Sequence, residues 1–350
     1  MTSRIIVYAP NLHTGGGLVL LEELINSIPK SIKRKYYLDF RSKGLIFTDN
    51  VDVIWVKPSL ISRIMAEICI SLESRESDAT LLLHSLPPIF CIRGIKILYF
   101  HNKLLINKYL RFFKYSIKAT IRIFLERTLL RFFIESIDEV IVQTVSIKSQ
   151  FCIRFPSMKS KVTVLPFVAK SKISNQIKQE HHKFDFIYVA SPDFHKNHIN
   201  LFEAIKILKQ EGLNISLAVT IPHQEEAMLK LISDLNNDYS LGIINLGILD
   251  HLSILNCYHD AKALIYPSTE ESFGLPLVEA QSLGVPILAS ELDFVRDVCQ
   301  PSETFDPLSP ISISRAIKRF LCFSNSQNIA ILDGSSFVKE FLKKVNYCEQ

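Results

Sequence analysis

The chain has 350 residues, of which 48% are hydrophobic and 21% charged, and its formal net charge at pH 7 is +5. This length suits two globular, well-packed domains of about 150–180 residues each. No apolar run reaches the roughly 18–20 residues that a transmembrane helix needs, and no signal peptide is expected before the first predicted strand. The cysteines are scattered, odd in number and without a C-x-x-C pair, so reduced thiols in the cytoplasm are expected.

Short apolar segments alternate with longer helical patterns, which is typical of parallel α/β sheets. Strands of a first sheet are predicted at residues 5–8, 53–56, 81–83, 97–100 and 140–142. Strands of a second sheet are predicted at residues 186–189, 216–219, 243–246, 263–266 and 286–289. The segment 170–183 is polar and charged like a linker, so the domain boundary is predicted near residue 168.

A run of glycines follows the first predicted strand. Gly15, Gly16 and Gly17 come after Thr14 and precede a predicted helix at residues 18–25. Consecutive glycines let the backbone approach a phosphate or a sugar closely and adopt positive φ without strain. The G-x-G-x-x-G spacing of a dinucleotide site is absent. The run therefore predicts either a ligand-facing loop or a flexible turn.

Two histidines follow strands of the first sheet. His101 comes after residues 97–100, and His84 comes after residues 81–83. A histidine in such a place is often a structural hydrogen-bond partner, which is the alternative interpretation of both. His101 is the preferred candidate for a functional group, and His84 is its rival.

A basic and apolar helix is predicted after His101. Its cations recur every three or four residues: Lys108, Arg111, Lys114, Lys118 and Arg122. Large apolar side chains cover much of the remaining circumference, and such a helix suits a membrane interface, where each cation adds up to about 1 kcal/mol near anionic headgroups. The alternatives are a core-packed helix with a solvated basic face and a nucleic-acid surface, although no nucleic-acid-binding module surrounds the stripe.

The second sheet opens with a strand and a loop that contains Lys196. A lysine at the end of a strand and beside a helix N-terminus adds a positive charge to an anion site made by backbone donors.

The most informative stretch runs from residue 267 to residue 280, between a predicted strand and a predicted helix at residues 277–283. It carries Glu271 and Glu279, eight positions apart, at the carboxyl end of a strand, where open α/β sheets bind ligands. The backbone N–H groups of Phe273, Gly274 and Leu275 are expected to meet an anion there. This geometry suits a sugar nucleotide.

The stretch resembles the E-x7-E signature of the retaining glycosyltransferases of family 4, which have the two-domain GT-B fold. The likeness extends through the intervening S-F-G-L-P-L-V and is dense over residues 185–310. It implies that Glu271 contacts the transferred sugar and that Glu279 holds the ribose of the nucleotide. It also implies that Lys196 contacts the donor pyrophosphate, that the glycine run faces the donor across the cleft, and that His101 lies near the reacting sugar.

The resemblance implies three parts: an acceptor-side Rossmann-like domain at residues 1–168, a nucleotide-sugar domain at 169–325, and a terminal helix at 326–350 packed back on the first domain. Family members commonly carry an arginine where this chain has Ala190 and Ser191, so the second phosphate-binding cation is unassigned, with His195 as a candidate. No D-x-D motif occurs in the chain. Transfer without a metal or any other cofactor is therefore expected.

The sequence thus predicts a retaining, metal-independent glycosyltransferase at the cytoplasmic face of a bacterial inner membrane, which it contacts peripherally. Its partners would be a nucleotide-sugar donor and a lipid-linked surface glycan of the O-antigen or capsule type, and not a nucleic acid. The enzymatic alternatives are a sugar-nucleotide epimerase and a phosphorylase, although no pyridoxal-binding lysine motif is found. A non-catalytic subunit that binds nucleotide sugar, or that scaffolds a polysaccharide assembly complex, is the alternative from another class.

Overall fold

Two parallel β-sheets organise the chain in the computed structural model, which describes residues 4–29, 31–44, 52–107, 117–167 and 182–323. The first sheet has seven strands in the order β3-β2-β1-β4-β5-β6-β7. Its strands are β1 (Arg4–Ala9), β2 (Lys33–Asp39), β3 (Asp52–Val56), β4 (Asp78–Leu82), β5 (Ile95–Phe100), β6 (Glu139–Val142) and β7 (Val162–Val164). The helices within this part are α1 (Gly15–Ser27), α2 (Leu60–Glu73), α3 (Ile117–Phe133) and α4 (Val145–Arg154).

The second sheet has six strands in the order β10-β9-β8-β11-β12-β13. They are β8 (Phe184–Tyr188), β9 (Ser216–Val219), β10 (Gly242–Asn245), β11 (Ala261–Tyr266), β12 (Ile287–Ser290) and β13 (Glu303–Phe305). Its helices are α5 (His198–Gln210), α6 (Glu226–Tyr239), α7 (His251–His259), α8 (Leu275–Ser282), α9 (Asp293–Arg296) and α10 (Pro310–Phe323). Every pairing in both sheets is parallel.

Each sheet reverses its strand order once. The chain runs outward from β1 through β2 and β3 and then returns to place β4 on the other side of β1. The second sheet repeats this pattern, with β9 on one side of β8 and β11 on the other. Such a reversal opens a crevice at the carboxyl ends of the two central strands, because the connections leave toward opposite faces. In the second sheet this crevice lies between the loops that follow β8 and β11.

The central strands of the second sheet are buried on both faces. The side chains of Phe186, Ile187 and Tyr188 on β8 are fully buried, and so are Ala263, Leu264 and Ile265 on β11. Parallel strands covered by helices on both sides consist of continuous apolar runs rather than alternating ones. The apolar runs seen in the sequence therefore form the core that holds the crevice.

Both predicted sets of strands correspond to strands of the structure, and the predicted α/β class is confirmed. The helix predicted at residues 277–283 begins earlier, at Leu275. The prediction of a loop at the glycine run is wrong in one respect, because α1 begins at Gly15 and the three glycines form its first turn. Strands β2, β7 and β13 were not predicted. Strand β2 opens with three cations, and β7 and β13 have only three residues each and lie at sheet edges.

Some predictions fall outside the described residues. Three cations of the predicted stripe, Lys108, Arg111 and Lys114, do so, and so do the boundary residue 168 and the segment 326–350. The predicted boundary lies between the end of β7 at Val164 and the start of β8 at Phe184. Of the helices that the structure describes, none is both long and apolar enough to cross a membrane.

Candidate functional site

The loop between β11 and α8 carries the E-x7-E stretch at the crevice of the second sheet. Gly274 precedes α8 with φ at +80°, a left-handed conformation that favours glycine, and Pro276 occupies the first helical turn. Within the described residues, the backbone N–H groups of Phe273, Gly274 and Leu275 donate no hydrogen bond. Because the N-terminus of a helix carries partial positive charge, these donors would stabilise an anion placed against them.

Glu271 is held by three donors, one from the loop after β8 and two from the end of β11 and the loop that follows it. Its Oε1 accepts hydrogen bonds from Lys196 Nζ at 2.6 Å, Ser268 Oγ at 2.7 Å and Tyr266 Oη at 2.9 Å. The side chains of Glu271 and Lys196 are 11% and 16% exposed, respectively. Burial and the nearby Glu271 raise the pKa of Tyr266 well above its usual value, so this phenol remains a donor. The carboxylate is therefore fixed in direction before any ligand arrives.

The loop after β8 places Lys196 opposite Glu271. A short 3₁₀ turn, Phe194–Lys196, ends at Asn197, which adopts a left-handed φ of +61°. The side-chain amide of Asn197 donates to the backbone carbonyls of Pro267 at 3.0 Å and Pro307 at 2.6 Å. Asparagine tolerates this conformation better than most residues, and its amide ties together the loops that follow β8, β11 and β13. The lysine and the carboxylate thus come from loops that are joined to each other.

Glu279 lies on α8 and has partners that the sequence did not suggest. One of its carboxylate oxygens is 3.0 Å from Nε2 of His251, and the other accepts a hydrogen bond from the Tyr258 hydroxyl at 3.0 Å. The hydrogen bond with Glu279 raises the pKa of His251. His251 is the first residue of α7, whose N-cap is Asp250. The N-cap marks the start of the helix in the sequence, but nothing in the sequence indicates that His251 meets Glu279.

The glycine run lies against the first residue of α8. A Cβ atom added to Gly16 would stand 2.4 Å from Leu275 Cδ1, closer than real Cβ atoms approach. A Cβ on Gly17 would stand 3.0 Å from Leu12 Cδ2, whereas one on Gly15 would meet nothing within 4 Å. The absence of a side chain at Gly16 therefore lets the start of α1 meet the start of α8, so that the two domains face each other here.

The two candidate histidines lie at the carboxyl ends of β4 and β5. The backbone N–H of His101 donates to Ser85 Oγ at 3.0 Å, and burial lowers the pKa of the His101 ring to about 4. Burial lowers the pKa of His84 to about 3, and its Nδ1 has no partner among the described residues. Both rings are therefore neutral at pH 7. No hydrogen bond joins either ring to Glu271 within the part of the chain that the structure describes.

Two hydrogen bonds connect the segment after β5 to the E-x7-E loop. The backbone N–H of Lys103 donates to Ser272 Oγ at 3.0 Å, and the side-chain amide of Asn107 donates to Glu270 Oε1 at 2.6 Å. The guanidinium of Arg127 on α3 supports this segment, because it donates to the carbonyl of Leu104 at 2.7 Å and also to that of Asn107. These contacts join residues more than 160 positions apart, and no sequence signal indicated them.

The described part of the basic helix exposes both charge and apolar surface. Lys118 and Arg122 are exposed on α3, together with the apolar side chains of Ile117, Ile121, Phe124, Leu125 and Phe132. Ile123 of the same helix is 2% exposed and packs in the core. The helix is thus anchored along one side and leaves an apolar, basic surface uncovered.

Comparison with solved structures identifies the fold. The chain aligns over 92% of its length with a lipopolysaccharide outer core galactosyltransferase, WaaB, in its apo form (TM-score 0.62, 14% identity, 91% of that chain). It aligns over the same share with Anabaena HepE in complex with UDP and glucose (TM-score 0.68, 13% identity, 90% of that chain). Together with two parallel-sheet domains that meet at their carboxyl edges, these likenesses define the GT-B fold.

In the sequence comparison, a family model matches the part of the chain that contains the second sheet. Residues 169–330 match the family model described as "Glycosyl transferases group 1". The O-antigen chain mannosyltransferase RfbU of Salmonella typhimurium is 24% identical over 173 residues, which are 49% of this chain and 47% of that protein. The capsular polysaccharide biosynthesis glycosyltransferase CapM of Staphylococcus aureus is 23% identical over 180 residues, 47% of each protein. The chain thus spans about half the length of these curated relatives.

Proposed function

We propose that this protein is a glycosyltransferase that moves a sugar from a nucleotide-sugar donor to a glycan acceptor. The observation that carries the proposal is the 2.6 Å pair of Lys196 and Glu271 beside the unpaired N-terminus of α8. A cation and free backbone N–H groups suit a diphosphate, whereas an oriented carboxylate suits the hydroxyl groups of a sugar. Glu279, on the same helix, extends this site toward a ribose.

The chemistry follows from where charge develops. Cleavage of a nucleotide sugar places negative charge on the departing phosphate and oxocarbenium character on the sugar. Lys196 and the N–H groups of Gly274 and Leu275 stabilise the phosphate, since donors that are already oriented need no reorganisation during the reaction. Glu271 orients the hydroxyl groups of the sugar, and this positioning supplies much of the rate.

Retention of configuration and metal independence belong to the same proposal. The E-x7-E resemblance supports retention, with the departing phosphate helping to deprotonate the acceptor and His101 lying near the transferred sugar. Lys196 and the start of α8 take the charge-stabilising role that a bridging metal has in enzymes with a D-x-D motif, which this sequence lacks. Transfer should therefore persist in EDTA and yield a product with the anomeric configuration of the donor, as read by NMR of the new linkage.

A lipid-linked surface glycan is the proposed acceptor. The names of the curated relatives refer to O-antigen and capsule synthesis. The exposed apolar residues of α3, with Lys118 and Arg122 beside them, form a surface suited to an anionic membrane. The proposed place of action is the cytoplasmic face of the inner membrane.

Donor binding is tested by thermal shift with UDP-, GDP-, CMP- and dTDP-sugars. At about 100 times its dissociation constant, a bound donor stabilises the fold by roughly 2.7 kcal/mol. We expect a shift with one nucleotide class, which Lys196→Met and Glu279→Gln abolish. Lys318→Met is the matched control, because Lys318 of α10 forms an exposed ion pair with Glu211 at the end of α5, away from the candidate site. A folded sample that shows no shift with any donor would contradict the donor-site assignment.

A non-catalytic subunit that binds nucleotide sugar remains the second candidate. The observation that favours it is the presence of Ala190 and Ser191 where related enzymes commonly carry an arginine. Replacement of Glu271 by Ala in cells separates the two functions. Loss of the glycan at normal protein levels supports catalysis, whereas unchanged glycan assembly supports the non-catalytic subunit.

A further inference from the structure

The second carboxylate of the E-x7-E stretch is held on both of its oxygens by α7. Oε1 of Glu279 lies 3.0 Å from Nε2 of His251, and Oε2 accepts a hydrogen bond from the Tyr258 hydroxyl at 3.0 Å. Because a carboxylate has about four lone-pair sites, each oxygen still has room for a further donor. The direction of Glu279 is therefore set by α7, while its capacity to bind the hydroxyl groups of a ligand remains.

The two partners of Glu279 differ in how they respond to pH. Tyr258 is fully buried, and burial together with the nearby Glu279 raises the pKa of its phenol well above the usual value, so it stays a neutral donor. The side chain of His251 is 29% exposed, and an imidazole titrates near neutral pH. When the ring loses a proton, the tautomer with hydrogen on Nε2 still donates to Glu279. His251 can therefore change its charge without leaving the carboxylate.

Acidic groups act on the His251 ring from both domains. Glu279 lies on α8, Asp250 is the N-cap of α7, and Glu22 lies on α1 of the first domain. The hydrogen bond with Glu279 raises the pKa of His251, and electrostatic attraction to all three acids acts in the same direction, against the effect of burial. The protonated ring is thus the cation that balances these acids.

Two other basic groups of the candidate site add no net positive charge near neutral pH. Lys196 is paired with Glu271 at 2.6 Å. Burial and the neighbouring Lys196 lower the pKa of His195, so this ring is neutral at pH 7. The proton on His251 therefore decides whether the negative charge of Glu279 is balanced.

We propose that His251 is a positioning residue that carries a proton when the nucleotide-sugar donor is bound, so that donor binding is coupled to proton uptake. The proposal rests on the transferase function, in which Glu279 holds the ribose and the diphosphate meets the start of α8. A protonated ring balances the charge of Glu279, whereas a neutral ring leaves the acidic groups to repel the negatively charged diphosphate. Affinity for the donor therefore falls as the pH rises through the pKa of the ring.

The test is isothermal titration calorimetry of the full chain with UDP-glucose, GDP-mannose and dTDP-glucose, whose doubly esterified diphosphates do not titrate near neutral pH. The probe that binds most tightly is then titrated from about pH 6 to about pH 8.5. We expect its affinity to fall about three- to tenfold over this range, as for one charge in a partly exposed site. Two buffers with different enthalpies of ionisation measure the protons taken up. This uptake should be smallest near the lower pH and rise as the free ring loses its proton.

His251→Gln separates the proton from the hydrogen bond, because the glutamine amide still donates to Glu279 but takes up no proton. This variant should bind the probe about as tightly as the wild type does at the upper pH, with no dependence on pH and no proton uptake. His182→Gln is the matched control. His182 is exposed, and its Nδ1 lies 3.3 Å from the carbonyl of His259, next to the start of β8 and away from the carboxyl edge of the sheet. It should retain both the pH dependence and the proton uptake.

Three results would overturn the inference while the donor site stands. They are wild-type binding without proton uptake, wild-type affinity that is constant over this pH range, and a His251→Gln variant that loses affinity equally at every pH, which is the mark of a purely structural role. If His251→Gln does not fold, the proton uptake and the pH profile of the wild type decide. A folded sample that binds none of the three probes would instead contradict the transferase function, and the inference would fail with it.

Discussion

Removal of Lys196 should destabilise the fold more than neutralisation of Glu271. Loss of one partner of a fully buried ion pair costs about 3–5 kcal/mol. Here the two side chains are 16% and 11% exposed, and Glu271 keeps the hydroxyl donors of Ser268 and Tyr266. Partial exposure and these two bonds reduce the expected cost of Lys196→Met to about 1–3 kcal/mol. Met retains the apolar stem, so the change removes charge rather than packing.

The double-mutant cycle tests this reasoning. In Glu271→Gln the amide oxygen still accepts from the two hydroxyl groups, and the flexible Lys196 can turn its ammonium toward water, so this variant should lose less stability. The double variant should be more stable than the sum of the two losses implies, by about 1 kcal/mol or more, since no carboxylate is left without its cation. Urea unfolding followed by circular dichroism measures all four free energies of unfolding. Additivity within about 0.5 kcal/mol, or a greater loss in Glu271→Gln, would refute the role of the pair.

Three further changes test the arrangement around the site. Gly16→Ala places a Cβ against Leu275 Cδ1, the end of a flexible side chain that can turn aside, so we expect a loss of stability of only about 0.5–1 kcal/mol in urea unfolding, which Leu275→Ala should remove. The hydrogen bond with Glu279 raises the pKa of His251 above its ordinary value of 6.5. The protonated ring therefore stabilises the fold fully below pH 6.5, and this stabilisation declines as the pH rises through the raised pKa. The loss of unfolding free energy caused by His251→Asn should therefore become smaller as the pH rises from 6 to 8.5. A loss that does not change with pH would contradict protonation of the ring. Asn197→Ala should cost about 1–3 kcal/mol in urea unfolding, because the Pro267 carbonyl loses its side-chain donor and the left-handed φ suits alanine poorly, while the Pro307 carbonyl keeps Asn200 as a donor. Asn197→Gly should cost about 1 kcal/mol less.

Local patterns in the sequence indicated the architecture and the centre of the site. The apolar runs of β8 and β11 are long enough to be recognised as buried strands, and Gly274 and Pro276 mark the turn into α8 through their own backbone preferences. Strand β2 was missed because its first residues are cationic, and their burial depends on distant partners. Lys35, for example, pairs with Glu73 of α2 at 2.6 Å.

The partners of the site residues are a matter of tertiary structure. Glu279 meets His251 and Tyr258 across α7 and α8, and no spacing along the chain distinguishes this histidine from one in solvent. The contact between Gly16 and Leu275 joins residues that are far apart in the sequence, so it becomes visible only where the two domains meet. Residue type and spacing therefore indicate which side chains belong to the candidate site. The orientation of these side chains and their hydrogen-bond partners depend on how the loops pack.

The proposed membrane surface and the proposed site are mechanically linked through α3. The helix is fixed to the core by Ile123 and Leu130, and its Arg127 holds the carbonyl of Leu104. The segment that contains Leu104 also carries Asn107, whose amide bonds to Glu270 beside the paired Glu271. A membrane that binds the exposed apolar side of α3 would thus contact the same helix that supports the Asn107 segment against the E-x7-E loop. An acceptor anchored in that surface would then be presented to the cleft from one direction, which reduces the orientational freedom that the reaction must otherwise overcome.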